Sequence, residues 1–89
     1  MAEIERAQTG VRLERRLLKV LKALAEQLDM SLGELIEGIV LHAFEGRHPF
    51  SPATLAKIKA LKSVYDLTLT AADSHHLTEA QSQDGSGHA

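Results

Sequence analysis

The side chains best suited to chemistry cluster near the end of the chain. Asp73, His75, His76 and Glu79 place two imidazoles and two carboxylates close together, and transition metals accept such nitrogen and oxygen donors. The spacing matches no zinc signature, so we expect neither a metal site nor a bound cofactor. Ser74 with Asp73 and His76 also resembles a hydrolytic set, but nothing supplies an oxyanion hole. We therefore expect no enzymatic activity and no catalytic residues.

Charged side chains are segregated along the chain, which its net charge of −2 conceals. Residues 1–22 have a balance of +3, residues 23–46 of −5, residues 47–65 of +4, and residues 66–89 of −4. Such blocks create local fields of either sign. The overall balance therefore does not exclude a polyanionic partner.

Size and composition restrict the class of protein. The chain has 89 residues, hydrophobic residues make up 44% of them, and there is no cysteine. A domain of this size buries about 60% of the surface that its unfolded chain exposes, so one copy alone would be marginally stable. The lack of cysteine excludes disulfide scaffolds, thiolate zinc sites and cysteine nucleophiles. Without a signal-peptide region or an apolar run near ~20 residues, we expect a cytoplasmic protein with no membrane segment.

Three helices follow from hydrophobic periodicity and capping signals. Apolar side chains recur at i, i+3 and i+4 over three turns, which predicts a first helix over residues 14–28. The sequence Ser31-Leu32-Gly33-Glu34 is a capping box that opens a second helix over residues 32–45. A serine cap followed by Pro52 opens a third helix within residues 47–65. These elements predict a mainly helical chain.

Residues 7–13 follow a different period. Thr9, Val11 and Leu13 alternate with polar or small residues, a period-2 pattern that predicts a short strand. A single strand cannot satisfy its own N–H and C=O groups, and no convincing second strand lies nearby. The simplest partner is the same strand of a second copy, antiparallel across a two-fold axis. An unstructured N-terminal arm is the alternative.

This order of elements resembles the ribbon-helix-helix DNA-binding family, the MetJ/Arc/CopG type. The match covers residues 6–46, with Thr9-Gly-Val-Arg-Leu13 as the ribbon and Met30-Ser-Leu-Gly-Glu34 as the turn and cap. The resemblance implies a mainly α, intertwined homodimer with one short β-strand per chain, to which the third helix is an addition. It also implies a transcriptional regulator whose two-stranded β-ribbon enters the major groove of double-stranded DNA.

The resemblance also assigns residues to roles by their position. Base contacts fall on the outward side of the ribbon, at Gln8, Gly10 and Arg12. Arginine donates a bidentate pair to guanine, and glutamine pairs with adenine. Phosphate contacts are implied for Arg6, Arg15, Arg16, Ser31, Leu32 and Gly33, with Lys19 as a further backbone contact. The dimer core is implied for Val11, Leu13, Leu17, Leu21, Leu24, Leu35, Ile36, Ile39 and Val40. A two-fold dimer predicts a palindromic operator, and we expect it to lie in the protein's own operon.

Two alternatives remain open. An antitoxin of the same fold would bind a protein partner through residues 47–79. A dimeric protein-interaction module without DNA binding is favoured by three departures from the family pattern. Gly10 has no side chain, Glu3 and Glu5 stand where the family often has a basic arm, and acidic Glu34 and Glu37 lie near the phosphate site. The predicted organisation is a flexible N-terminus over residues 1–5, a ribbon-helix-helix domain over 6–46, an additional helix over 47–65, an extension of unassigned role over 66–80 and a disordered tail over 81–89.

Overall fold

A computed structural model of the chain describes residues 2–80. It contains three α-helices of equal length, α1 (Arg15–Gln27), α2 (Leu32–Phe44) and α3 (Pro52–Val64), followed by a short 3₁₀ turn at Ala71–Asp73. The three helices predicted from periodicity are therefore confirmed. None of the helices within the described part of the chain has the length and apolar character needed to cross a membrane. The tail predicted over residues 81–89 lies outside the described residues.

Side-chain caps determine where the helices begin. At the start of α1 the Glu14 carboxylate accepts a hydrogen bond from the Leu17 N–H at 2.8 Å. At the start of α3 the Ser51 hydroxyl accepts one from the Thr54 N–H at 3.2 Å. Both caps satisfy backbone donors that have no partner within the helix. After α1, Asp29 adopts a φ of 57°, a left-handed conformation that Asp tolerates better than most residues, and the chain turns into α2.

The predicted ribbon-helix-helix fold is wrong, because residues 2–80 contain helices and no β-strand. The strand expected over residues 7–13 lies instead within an N-terminal arm, residues 2–13, that has no regular secondary structure. The backbone groups of this arm make no backbone hydrogen bond to any described residue. Alternating apolar and polar side chains give an extended segment one apolar side and one polar side. They supply no hydrogen-bond partner for its backbone N–H and C=O groups. The pattern therefore predicted a strand that the described residues do not contain.

Helix α1 forms the centre of the fold. It packs against both α2 and α3, and its Val20, Leu24 and Ala25 are buried. Leu24 is the most enclosed side chain of the described chain, with 2% of its surface exposed. The other buried apolar side chains are Leu35, Leu61 and Leu67. This core is small, and it leaves several large apolar side chains at the surface.

Candidate functional site

Three basic side chains form a stripe along the exposed side of α1. Arg15, Lys19 and Lys22 are spaced four and three residues apart, so they lie on the same helix face. All three are exposed, and at 1.5 Å per residue they extend over about 10 Å. None of them forms an ion pair with another described residue. The charges of this basic stripe are therefore available to an anionic partner.

The basic stripe ends at a groove between the N-terminal arm and the start of α2. This arm groove has a volume of about 940 Å³, and Lys22 is among its lining residues. Six predicted DNA contacts also line it: Arg6, Gln8, Gly10, Ser31, Leu32 and Gly33. The structure thus brings predicted base contacts and predicted phosphate contacts to one surface without forming a strand. Glu5 and Glu37 line the same groove and reduce its positive charge.

The N-terminus of α2 presents backbone donors beside this groove. The Ser31 hydroxyl accepts from the Glu34 N–H at 3.1 Å, and the Glu34 carboxylate accepts from the Ser31 N–H at 2.9 Å. The capping box predicted from the sequence is therefore confirmed. The N–H groups of Leu32 and Gly33 donate to no described residue. Unpaired donors of this kind, together with the helix dipole, favour an anion.

Replacing Ser31 by alanine should lower the free energy of unfolding by about 1 kcal/mol, because the Glu34 N–H loses its acceptor. Ser31→Gly should cost only a few tenths of a kcal/mol, since glycine is itself a favourable N-cap residue. Urea unfolding followed by circular dichroism measures both effects. Equal losses in the two variants would show that the hydroxyl is not what stabilises this helix start.

Arg6 of the N-terminal arm already binds a carboxylate. Its Nε donates to Glu37 Oε2 and its Nη2 donates to Glu37 Oε1, both at 3.0 Å. This is a bidentate ion pair. The hydrogen bonds from Arg6 are the main reason why the pKa of Glu37 lies below its usual value. The pair fastens the N-terminal arm to α2 and occupies a guanidinium that was predicted to contact phosphate.

Arg6→Ala should raise the pKa of Glu37 toward its usual range, because the donors that favour the carboxylate are removed. Since the pKa of Glu37 is lowered in the folded chain, the pair stabilises the fold at neutral pH. That contribution is lost as the pH falls through the lowered pKa. The ¹³C shift of the Glu37 carboxyl during acid titration measures the change. Arg47→Ala, which removes the partner of Glu45 instead, should leave the Glu37 titration as it is.

Arg12 and Arg16 lie outside the arm groove, and both have intramolecular partners. Arg12 forms an ion pair with Glu79, which is 67 residues further along the chain. Arg16 donates from Nε to Glu14 and from Nη1 to the backbone carbonyl of Asp66, both at 3.0 Å. Arg16 thus links the start of α1 to the chain that follows α3.

The nine residues predicted for a shared dimer core differ widely in burial. Leu24 and Leu35 are buried within the single chain. Three others are half-buried: Leu21, Ile36 and Ile39. The remaining four are exposed: Val11, Leu13, Leu17 and Val40. A single chain therefore leaves part of this apolar set uncovered.

The second half of α2 carries an exposed apolar stripe of its own. The exposed fractions are 38% for Val40, 63% for Leu41 and 81% for Phe44. These residues occupy neighbouring positions on successive helix turns. Residues 38–44 contain no Asp, Glu, Lys or Arg. This α2 apolar stripe (Val40, Leu41 and Phe44) is thus an uncharged surface on the outside of the molecule.

The His-rich segment forms no metal site among the described residues. The Asp73 carboxylate accepts a hydrogen bond from the Thr70 N–H at 2.8 Å and caps the 3₁₀ turn. Glu79 is paired with Arg12. Both carboxylates of the segment therefore have partners within the chain.

The sequence prediction omitted Lys22, which joins the basic stripe to the arm groove. The signal was present in the spacing of Arg15, Lys19 and Lys22 on one helix face. What the spacing does not show is that the end of this stripe lies beside the N-terminus of α2.

Comparison with protein-family models, with curated proteins and with solved structures finds no match to this chain.

Proposed function

We propose that the protein is a homodimeric DNA-binding regulator of transcription that acts in the cytoplasm on DNA upstream of its own gene. The basic stripe of α1 carries this proposal, since its three cations have no described carboxylate partner and lead to the arm groove. Double-stranded DNA carries one negative charge per about 1.7 Å of its axis, so a stripe of this length faces several phosphates. Phosphate contacts of this kind supply affinity and orientation.

The arm groove adds groups that recognise more than charge. The Gln8 side chain can pair with the N6 and N7 atoms of adenine, and it lines the groove beside Leu32 and Gly33. The free N–H groups of those two residues suit a phosphate oxygen. Residues 2–80 contain no strand, so these contacts would come from the N-terminal arm and a helix end.

A homodimer is supported by the apolar surface that one chain leaves uncovered. Phe44 is 81% exposed and Leu41 63% exposed, on a part of α2 without charged residues. Two such surfaces can pack across a two-fold axis and bury these apolar side chains. In an antiparallel arrangement the acidic Glu34 and Glu37, in the first half of α2, stay away from the same residues of the partner.

Leu41→Glu and Phe44→Glu are each expected to convert the dimer to a monomer, because a carboxylate on the two-fold axis would meet its own copy. Sedimentation equilibrium should give about twice the 9.7 kDa chain mass for the unmodified protein. It should give the chain mass for either variant. Val64→Glu is the matched control, since Val64 is 69% exposed on α3. A monomeric unmodified protein, or three variants that all remain dimeric, would contradict this interface.

DNA binding is tested by fluorescence anisotropy of a labelled duplex from the region upstream of the gene. Excess unrelated DNA serves as competitor, and the titration is repeated over a series of salt concentrations. We expect binding that resists the competitor and weakens linearly with the logarithm of salt concentration. Absence of binding, or a signal that unrelated DNA removes completely, would contradict the proposal.

A second function, a dimeric protein-interaction module, is favoured by one observation. Three of the arginines predicted to contact DNA are paired within the chain: Arg6, Arg12 and Arg16. Large apolar side chains remain exposed at the same time, as expected of a surface that binds another protein. Dimer formation without any salt-sensitive DNA binding would favour this function over the first.

A further inference from the structure

The chain after α3 folds back along α1. This C-terminal segment, residues 66–79, is anchored at its start by Leu67, which is only 8% exposed. The Asp66 carbonyl next to it accepts a hydrogen bond from Arg16 Nη1 at 3.0 Å. Further along, Leu77 and Leu17 of α1 line a common apolar cavity. The segment therefore runs close to the beginning of α1.

The C-terminal segment brings negative charge close to the arginines near the beginning of α1, Arg12 and Arg16. It contains Asp66, Asp73 and Glu79 and no Lys or Arg. Its last carboxylate, Glu79, pairs with Arg12. Arg12 lies between Val11 and Leu13, which line the arm groove, and was predicted to contact bases, which requires its guanidinium donors to be free. A guanidinium that donates to a carboxylate cannot use the same donor on guanine or phosphate.

Anchoring makes this contact stronger than an encounter between free groups. Glu79 comes only twelve positions after Leu67, so the carboxylate stays near Arg12 at an effective concentration in the millimolar range. The pair is nevertheless exposed, with 66% and 64% of the two side-chain surfaces accessible. Exposed pairs are weak and are screened by salt. A polyanion can therefore displace the carboxylate.

We propose that the C-terminal segment is an intramolecular competitor of DNA, which masks Arg12 through Glu79 and lowers DNA affinity until it is displaced. The inference rests on the proposed DNA-binding function. It assigns a regulatory role to residues 66–79, which the sequence left unassigned. Any event that removes the Glu79 charge or lifts the segment from α1 would raise DNA affinity.

The test is the DNA affinity of the full chain with Glu79→Gln, which removes the charge and keeps the size of the side chain. From the strength of exposed ion pairs, with two copies in a dimer, we expect binding between about 2-fold and 30-fold tighter than that of the unmodified protein. Glu45→Gln is the matched control, because Glu45 also pairs with an arginine, Arg47, and lies on another part of the surface. This control should change DNA affinity less than 2-fold, because an exposed pair is weak and this one lies away from Arg12.

Replacing Arg12 as well completes a double-mutant cycle with Glu79. In an Arg12→Ala background Glu79→Gln should have no effect on DNA affinity, because the group that it releases is absent. Equal affinities for the unmodified protein and Glu79→Gln would overturn the proposal, and so would an equal gain in Glu45→Gln. The arginine Nε–H signals in an NMR spectrum report the ion pair without DNA. A shifted Arg12 signal in Glu79→Gln with no gain in affinity would show that the pair exists and does not compete.

The two proposals fail in different ways. If neither the unmodified protein nor any variant binds the upstream duplex, the DNA-binding function falls and the competitor role falls with it. If the unmodified protein binds and Glu79→Gln brings no gain, only the competitor role is overturned.

Discussion

Replacing Lys19 and Lys22 together by glutamine is expected to weaken DNA binding by at least about 100-fold at low salt, because a dimer loses four phosphate contacts. Each contact contributes about 0.9 to the slope of log affinity against log salt, so the slope should become shallower by about 3 to 4. The loss should be similar for operator and unrelated DNA, since phosphate contacts carry no sequence information. Anisotropy titrations over a salt series measure the affinity and the slope together.

The matched control is the double replacement Lys57→Gln and Lys59→Gln in α3. It changes the net charge by the same amount, and both lysines are exposed and form no ion pair with a described residue. We expect little change in the salt slope for this variant. Equal losses in the two double variants would mean that total charge, rather than the basic stripe, attracts DNA.

Leu24→Ala is expected to lower the free energy of unfolding by about 2 to 5 kcal/mol. Leu24 is 2% exposed in α1, the helix that packs against both others, so its removal leaves a cavity that the small core cannot easily close. For a chain of this size each kcal/mol shifts Tm by about 4 to 8 °C, which predicts a decrease of at least about 8 °C. Thermal and urea unfolding at one fixed protein concentration measure the loss.

Leu77→Ala provides the comparison, because it deletes the same atoms from a side chain that is 55% exposed. It should cost less than about 0.5 kcal/mol. A small loss in Leu24→Ala would show that the centre of the core is elsewhere. A loss in Leu77→Ala as large as that in Leu24→Ala would show that the end of the C-terminal segment belongs to the core.

The helices were predictable because their signals act over one or two turns. The capping box joins Ser31 and Glu34, three residues apart, and an apolar stripe repeats every three or four residues. Both are complete within a short stretch of sequence. The tertiary packing has only to orient elements that these local signals already define.

The strand was not predictable in the same way. Alternation over residues 7–13 describes the two sides of an extended segment, whereas a strand is defined by hydrogen bonds to another segment. Residues 2–80 supply no such partner, since the N-terminal arm makes no backbone hydrogen bond to any of them. A family resemblance built on that strand therefore predicted pairing that the fold does not contain.

The sequence by itself determined the helices, the serine caps of α2 and α3, and the spacing that places Arg15, Lys19 and Lys22 on one face of α1. Only the tertiary structure decided which cations pair with carboxylates of the described residues. The partner of Arg6 is 31 residues away and that of Arg12 is 67 residues away, while no described carboxylate pairs with the basic stripe. Ion pairing and burial depend on contacts between distant segments, and local spacing contains no information about those contacts.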